Sequence, residues 1–290
     1  MSEPDEAGRA TDAPLDMRSR LGSDFGPRLG SGLAMAAVAA ICTFSGAVPF
    51  AVLVVVVTLL LSWEWGRLVH GSEGTVVVAV HMVAAGLAAI LAALGYVGLG
   101  LLALPIGAIL AMLLSLGRHS LLSAFGMFYA GLPAVALIWL RADVVLGLLA
   151  VVFLILIVIA SDTAGFLAGR LLGGPKLWPQ LSPKKTWAGF AGALVASAVV
   201  GALFWLAVPG ASPVRLAGIG AMLSFVSQAG DLFESAIKRR FGAKDASHLI
   251  PGHGGAMDRV DGLIAAASAA GLMGFIVNVH APAYALLVGS

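Results

Sequence analysis

Charge-free apolar runs follow one another along most of this chain. A membrane-spanning helix needs about 20 mostly apolar residues. Residues 32–62 form an unbroken apolar run with Gly46 and Pro49 near its middle, long for one span and short for two. Residues 75–117 fit two spans, with Gly95 between the halves. Further spans are predicted at 121–140, 144–160, 187–208, 214–230 and 263–279. The pattern therefore predicts an all-α polytopic integral membrane protein of eight or nine transmembrane helices. No internal repeat and no pair of inverted halves is visible.

The polar connections are unequal. Most carry one or two charges: Arg118, then Arg141 with Asp143, then Arg215. Two are long and basic, 162–186 and 231–261, and ten of the 17 Lys and Arg lie from Arg170 to Arg259. Two spans separate these segments, so both are expected on one face, which the positive-inside rule makes the cytoplasmic face of the cell (inner) membrane. If the first run is double, the N-terminus is also cytoplasmic and the C-terminus lies outside. Residues 1–30 read as a disordered polar tail: the first 28 hold six acids and four arginines, without the apolar core of a signal peptide. Residues 31–290 read as one membrane domain, with polar motifs at 161–187 and 230–262.

Composition supports the same class. The chain is 60% hydrophobic and 11% charged, against about 25% charged in a soluble protein, and its mean hydropathy is +0.99. Disordered chains, disulfide scaffolds and nucleic-acid-binding domains are excluded. Cys42, the single cysteine, permits neither an intramolecular disulfide nor a cysteine-based zinc site.

Candidate chemistry gathers in the two basic segments. Asp162 follows seventeen apolar residues; it either faces a cavity or partner, or caps a helix end at the interface. Ser182-Pro183-Lys184-Lys185-Thr186 sets two lysines between hydroxyls where Thr186 can cap the next helix. Such a helix start suits phosphate oxygens, although a pair of membrane-anchoring lysines fits it too. Farther on, Asp231, Glu234, Ser235 and Lys238 recur at i, i+3, i+4 and i+7, one face of a helix. Asp258 and Asp261 share another. Carboxylates converging from two helix ends suit a hard cation such as Mg²⁺. Gly252, Gly254 and Gly255 allow close backbone approach to a ligand, and Lys238, Arg239, Arg240, Lys244 and Arg259 supply countercharge for a polyphosphate. His248 and His253 read as hydrogen-bonding groups.

This last stretch resembles the signature of the phosphatidate cytidylyltransferase (CDP-diacylglycerol synthase) family. The elements are Ser235, Lys238-Arg239, Lys244-Asp245, Pro251 to Gly255, Asp258-Arg259 and Asp261, with Ser182 to Thr186 and Ser161-Asp162-Thr163 upstream. They cover about the last 130 residues. The family usually has Glu after Thr-Trp, where this chain has Ala188, so no carboxylate role falls there.

The resemblance implies the reaction of CTP with phosphatidic acid to give CDP-diacylglycerol and pyrophosphate, with Mg²⁺ and room for a second cation. It implies Asp231 and Asp258 as leading metal ligands, and Asp261 and Asp162 as further ligands or their supports. Asp231, Asp258, Lys238 and Arg259 become the catalytic candidates. Ser182, Lys184, Lys185, Thr186, Ser235 and Arg239 become candidates for substrate phosphate, with Lys244 and Asp245 beside them and His253, Gly254 and Gly255 shaping the nucleotide pocket. CTP, phosphatidic acid and membrane lipid are the expected partners, a homodimer is open, and no nucleic acid is expected. A CDP-alcohol phosphotransferase would carry a different acidic pattern, absent here. A transporter would distribute its polar residues among midplane helices.

Overall fold

The computed structural model describes residues 25–71, 75–115, 117, 119–247, 249–250 and 254–289. The polar tail expected at 1–30 lies almost wholly outside the described residues. The first apolar run is two helices, α1 (Phe25–Phe44) and α2 (Ala47–His70), separated at Gly46, whose φ of 125° is open to glycine. The run at 75–117 divides as its glycine suggests, into α3 (Thr75–Ala93) and α4 (Val97–Leu114), with Gly95 at φ 89°. Then come α5 (Ser120–Ala142), α6 (Gly147–Leu171), α7 (Trp187–Leu203), α8 (Pro213–Arg240), α9 (Met257–Val277) and the short α10 (Pro282–Leu287). Eight helices among the described residues, α2 to α9, are long and apolar enough to cross a membrane, and Gly30–Phe44 of α1 adds a shorter apolar helix.

Two helices run past the apolar segments that announce them. Hydropathy ends α6 near residue 160, but the helix continues to Leu171; it ends α8 near 230, but that helix continues to Arg240. Asp162 and Asp231 therefore sit inside helices instead of opening loops. In α8 the polar residues keep the helical period until Gly242, at φ 67°. In α6, Gly165 lies where α7 crosses closely: a Cβ on Gly189 would stand 2.6 Å from the Gly165 carbonyl oxygen. Small residues let membrane helices approach to backbone contact. The break comes at Gly173 and Gly174, both at positive φ.

An element that hydropathy does not announce follows that break. β1 (Lys176–Trp178) and β2 (Ser182–Thr186) pair antiparallel, Lys176 opposite Thr186 and Trp178 opposite Ser182. This hairpin leads directly into α7.

Two apolar clusters hold the bundle. One joins α2 to α5 around the fully buried Trp65, Leu104 and Met127; the other joins α6, α8, α9 and α10 around Phe153, Leu154, Leu216 and Leu223. Alternation of the helices puts the α2–α3, α4–α5, α6–α7 and α8–α9 connections at one end. At the opposite end the few charges are occupied with backbone. Arg215 donates to the carbonyls of Ala285 (2.5 Å) and Leu286 (3.0 Å), Asp143 accepts from the amides of Val145 and Leu146, and Arg141 donates to Thr43. Those residues close the fold.

Candidate active site

At the other end, α8 brings Asp231, Glu234, Ser235 and Lys238 to one face, as their spacing predicts. α9 presents Asp258 and Asp261 against it. Oxygens of Asp231, Glu234 and Asp261 all lie within 4.8 Å of one another. Glu234 has no solvent exposure. Lys238 Nζ lies 3.2 Å from Glu234 Oε1 and 2.5 Å from Asp258 Oδ1. Lys185, from β2, pairs with Asp231 at 2.5 Å. Ser235 Oγ lies 3.5 Å from the other Asp231 oxygen. Asp162, on α6, interacts electrostatically with both Asp231 and Lys185.

This grouping differs from the sequence expectation in one respect. The motif pairs Asp231 and Asp258 as leading ligands, whereas the structure sets Glu234 beside Asp231 and Asp261. Asp258 is turned to other work. Its Oδ1 accepts from Lys238, and its Oδ2 accepts from the amides of Ala246 (2.9 Å) and Gly255 (2.8 Å), so both oxygens are occupied in folding the α8–α9 connection.

The glycines are likewise closer to protein than expected. A Cβ on Gly254, which has φ 82°, would stand 2.9 Å from Asp258 Oδ2, and one on Gly255 would crowd the carboxylate of Glu64. Backbone does approach charged oxygen here, but the oxygen belongs to this chain. His248 and His253 lie outside the described residues.

The hairpin places its residues by strand alternation. Lys185 turns inward, and Lys184, on the opposite face of β2, is exposed. Thr186 is buried and caps α7, its Oγ1 accepting from the amide of Gly189 at 3.1 Å, as its position predicts. Ser182 is half-buried opposite Trp178. Arg239 donates to the carbonyl of Ala243 at 3.2 Å, and Lys244, Asp245 and Arg259 are exposed. Ala188 is half-buried in the first turn of α7.

Sequence reasoning passes over Glu64. It is fully buried near the end of α2 and bonded to the start of α9. The available signal is that Glu64 is the single acid in α2.

Below the acids, an apolar cavity of about 620 Å³ opens between α4, α5, α8 and α9. Gly230 and Phe233, which flank Asp231, line it together with Phe125, Tyr129 and Ile264.

Fold and site together define a multi-pass helical membrane protein whose acids and bases meet at one end of the bundle, above an apolar cavity. The chain belongs to the cytidylyltransferase family, which matches residues 27–277. It is similar to the phosphatidate cytidylyltransferase of Brucella suis biovar 1, 50% identical over 156 residues, 53% of this chain and 57% of that protein. The phosphatidate cytidylyltransferase of Staphylococcus saprophyticus is 39% identical over 153 residues, 51% of this chain and 58% of that protein. That of Mycobacterium leprae is 44% identical over 124 residues, 41% and 38% of the two chains. The chain thus spans less than 60% of the length of each of these relatives.

Proposed function

We propose that this protein transfers the cytidylyl group of CTP to phosphatidic acid at the cytoplasmic face of the cell membrane, releasing pyrophosphate. Family membership over residues 27–277 carries the reading. The observation that fits it to this chain is the acidic group of Asp231, Glu234 and Asp261 set among lysines, directly above an apolar cavity.

The donor set suits a hard divalent cation: three carboxylates from two helices, one of them the fully buried Glu234. Held by Asp231, Glu234 and Asp261, Mg²⁺ would neutralise charge developing on the α-phosphate and on the leaving pyrophosphate. Asp162, exposed and near Asp231, is the carboxylate available to a second cation. Everything else in the mechanism falls to the chain itself.

In the reaction a phosphate oxygen of the lipid forms a bond to the α-phosphorus of CTP, and the bond from that phosphorus to the β-phosphate bridge breaks. The lipid phosphate is anionic near neutral pH, so no general base is needed; two anions must be brought together. Lys184, Arg239, Lys244 and Arg259, exposed on the segments that carry the site, attract the triphosphate from water. Lys185, paired with Asp231, is the cation at the acids, with the hydroxyls of Ser182 and Ser235 as further donors. Lys238 holds Glu234 and Asp258 in place. The apolar cavity below Asp231 receives the acyl chains, so headgroup and nucleotide meet at the acids.

The test is pyrophosphate release by purified protein in detergent, with Mg²⁺ and each of the four ribonucleoside triphosphates. Release is expected with CTP alone, only when phosphatidic acid is present, and is abolished by EDTA. Release independent of lipid, or equal for all four nucleotides, would overturn the proposal.

The orientation rests on charge. Beyond residue 30, Arg141 and Arg215 are the only described Lys or Arg at the end opposite the site, a distribution that supports a cytoplasmic site end and an outside C-terminus. In a Cys42→Ser background, Val144→Cys should react with an impermeant thiol reagent on intact cells, whereas Gln180→Cys should react only after permeabilisation. The reverse pattern inverts the assignment.

A further inference from the structure

Glu64 lies in an apolar helix of 24 residues and has no solvent exposure. Its Oε1 accepts from the Ser247 hydroxyl at 2.6 Å and the Ala256 amide at 2.8 Å, and its Oε2 accepts from the Met257 amide at 2.6 Å. Ala256 and Met257 are the N-cap and first residue of α9. A helix start leaves its first amides without partners, and Ala256 has no side chain able to supply one. α9 therefore begins on a carboxylate from another helix, whose negative charge also complements the helix dipole. Contact is close enough that a Cβ on Gly255 would collide with the carboxylate. Asp258 is in the first turn that Glu64 fixes, and Asp261 stands one turn farther.

We propose that Glu64 is a positioning residue for the site: it clamps the start of α9 and so sets where Asp258 and Asp261 meet α8. Its effect on turnover rests on the cytidylyl-transfer reading above; the clamp itself does not. Glu64→Gln conserves shape but replaces one acceptor oxygen by an NH₂ group. In either amide orientation that group faces a backbone N–H, which loses its partner.

The experiment compares Glu64→Gln, Ser247→Ala and Val69→Ala in purified full-length protein. Val69 is buried in the same helix and takes no part in these hydrogen bonds, so it reports general loosening of α2. In Glu64→Gln, kcat is expected to fall at least tenfold with KM for CTP changed less than threefold, and hydrogen exchange at the amides of 256–257 to accelerate at least tenfold. Ser247→Ala, which leaves both amide bonds, should keep more than half of wild-type kcat. Val69→Ala should lower the thermal midpoint with kcat within twofold of wild type. Unchanged exchange at 256–257 in Glu64→Gln would overturn the clamp. If Glu64→Gln and Val69→Ala lose the same thermal stability and the same kcat, the positioning role is overturned. Exchange needs no turnover, so a wild-type protein inactive on CTP would refute the proposed function, while faster exchange in Glu64→Gln would still support the clamp.

Discussion

Asp231→Asn, Glu234→Gln and Asp261→Asn are each expected to lower CTP-dependent lipid product formation at least a hundredfold, about 2.7 kcal/mol of transition-state stabilisation. The reason is that their oxygens converge within 4.8 Å. Removing one charge from such a group costs a ligand and weakens the hold of the other two. Each variant should insert normally, because a neutral amide is easier to place near lipid than a carboxylate. Each should also raise the Mg²⁺ concentration needed for half-maximal activity. Asp258→Asn separates the two readings of the acids. Its oxygens serve Lys238 and the amides of Ala246 and Gly255, so it should lower thermal stability while leaving the Mg²⁺ requirement unchanged. A metal titration on the four variants distinguishes the two arrangements. A raised requirement in the Asp258 variant, with none in the Glu234 variant, would restore Asp231 and Asp258 as the metal pair.

Lys238→Met is expected to destabilise the protein by about 3–5 kcal/mol, the usual consequence of leaving a buried charge unpaired. Lys238 is 12% exposed, and the carboxylates it joins are 0% (Glu234) and 6% (Asp258) exposed. Without the ammonium, two nearly dry acids face each other across the α8–α9 contact. Adding Glu234→Gln should recover part of the stability, since one of the two orphaned charges is then gone, but none of the activity. Thermal unfolding of the single and double variants measures this coupling. Equal stability of Lys238→Met and wild type would show that the pairing contributes nothing to the fold.

The membrane spans are legible because a bilayer demands long apolar runs, and even the double nature of residues 32–62 is hinted at by Gly46. The C-terminal ends of α6 and α8 are not legible in hydropathy. The polar turns at 161–171 and 231–240 interrupt hydropathy without interrupting helical geometry, so the polar connections are read as beginning at 162 and 231 while the helices run on. Gly165 is a surface for a neighbouring helix. The hairpin escapes because its strands have three and five residues and no alternation of apolar side chains.

Within the site, spacing places Asp231, Glu234 and Lys238 on one face correctly. It cannot say which acids Lys238 will take, because that depends on how α9 is docked. Glu64 is beyond reach for a plainer reason: its partners lie 183, 192 and 193 residues away along the chain.

That separation bears on the order in which the chain enters the membrane. α2 is synthesised and inserted long before residues 247 to 257 leave the ribosome. Until then, Glu64 lacks the three donors that surround it in the finished protein. Its position near the cytoplasmic end of α2, in the proposed orientation, lets headgroup water solvate the carboxylate during this interval. Arrival of α9 replaces that water with the Ser247 hydroxyl and two backbone amides. The early half of the protein thus waits with an open acceptor, and the last long helix completes it.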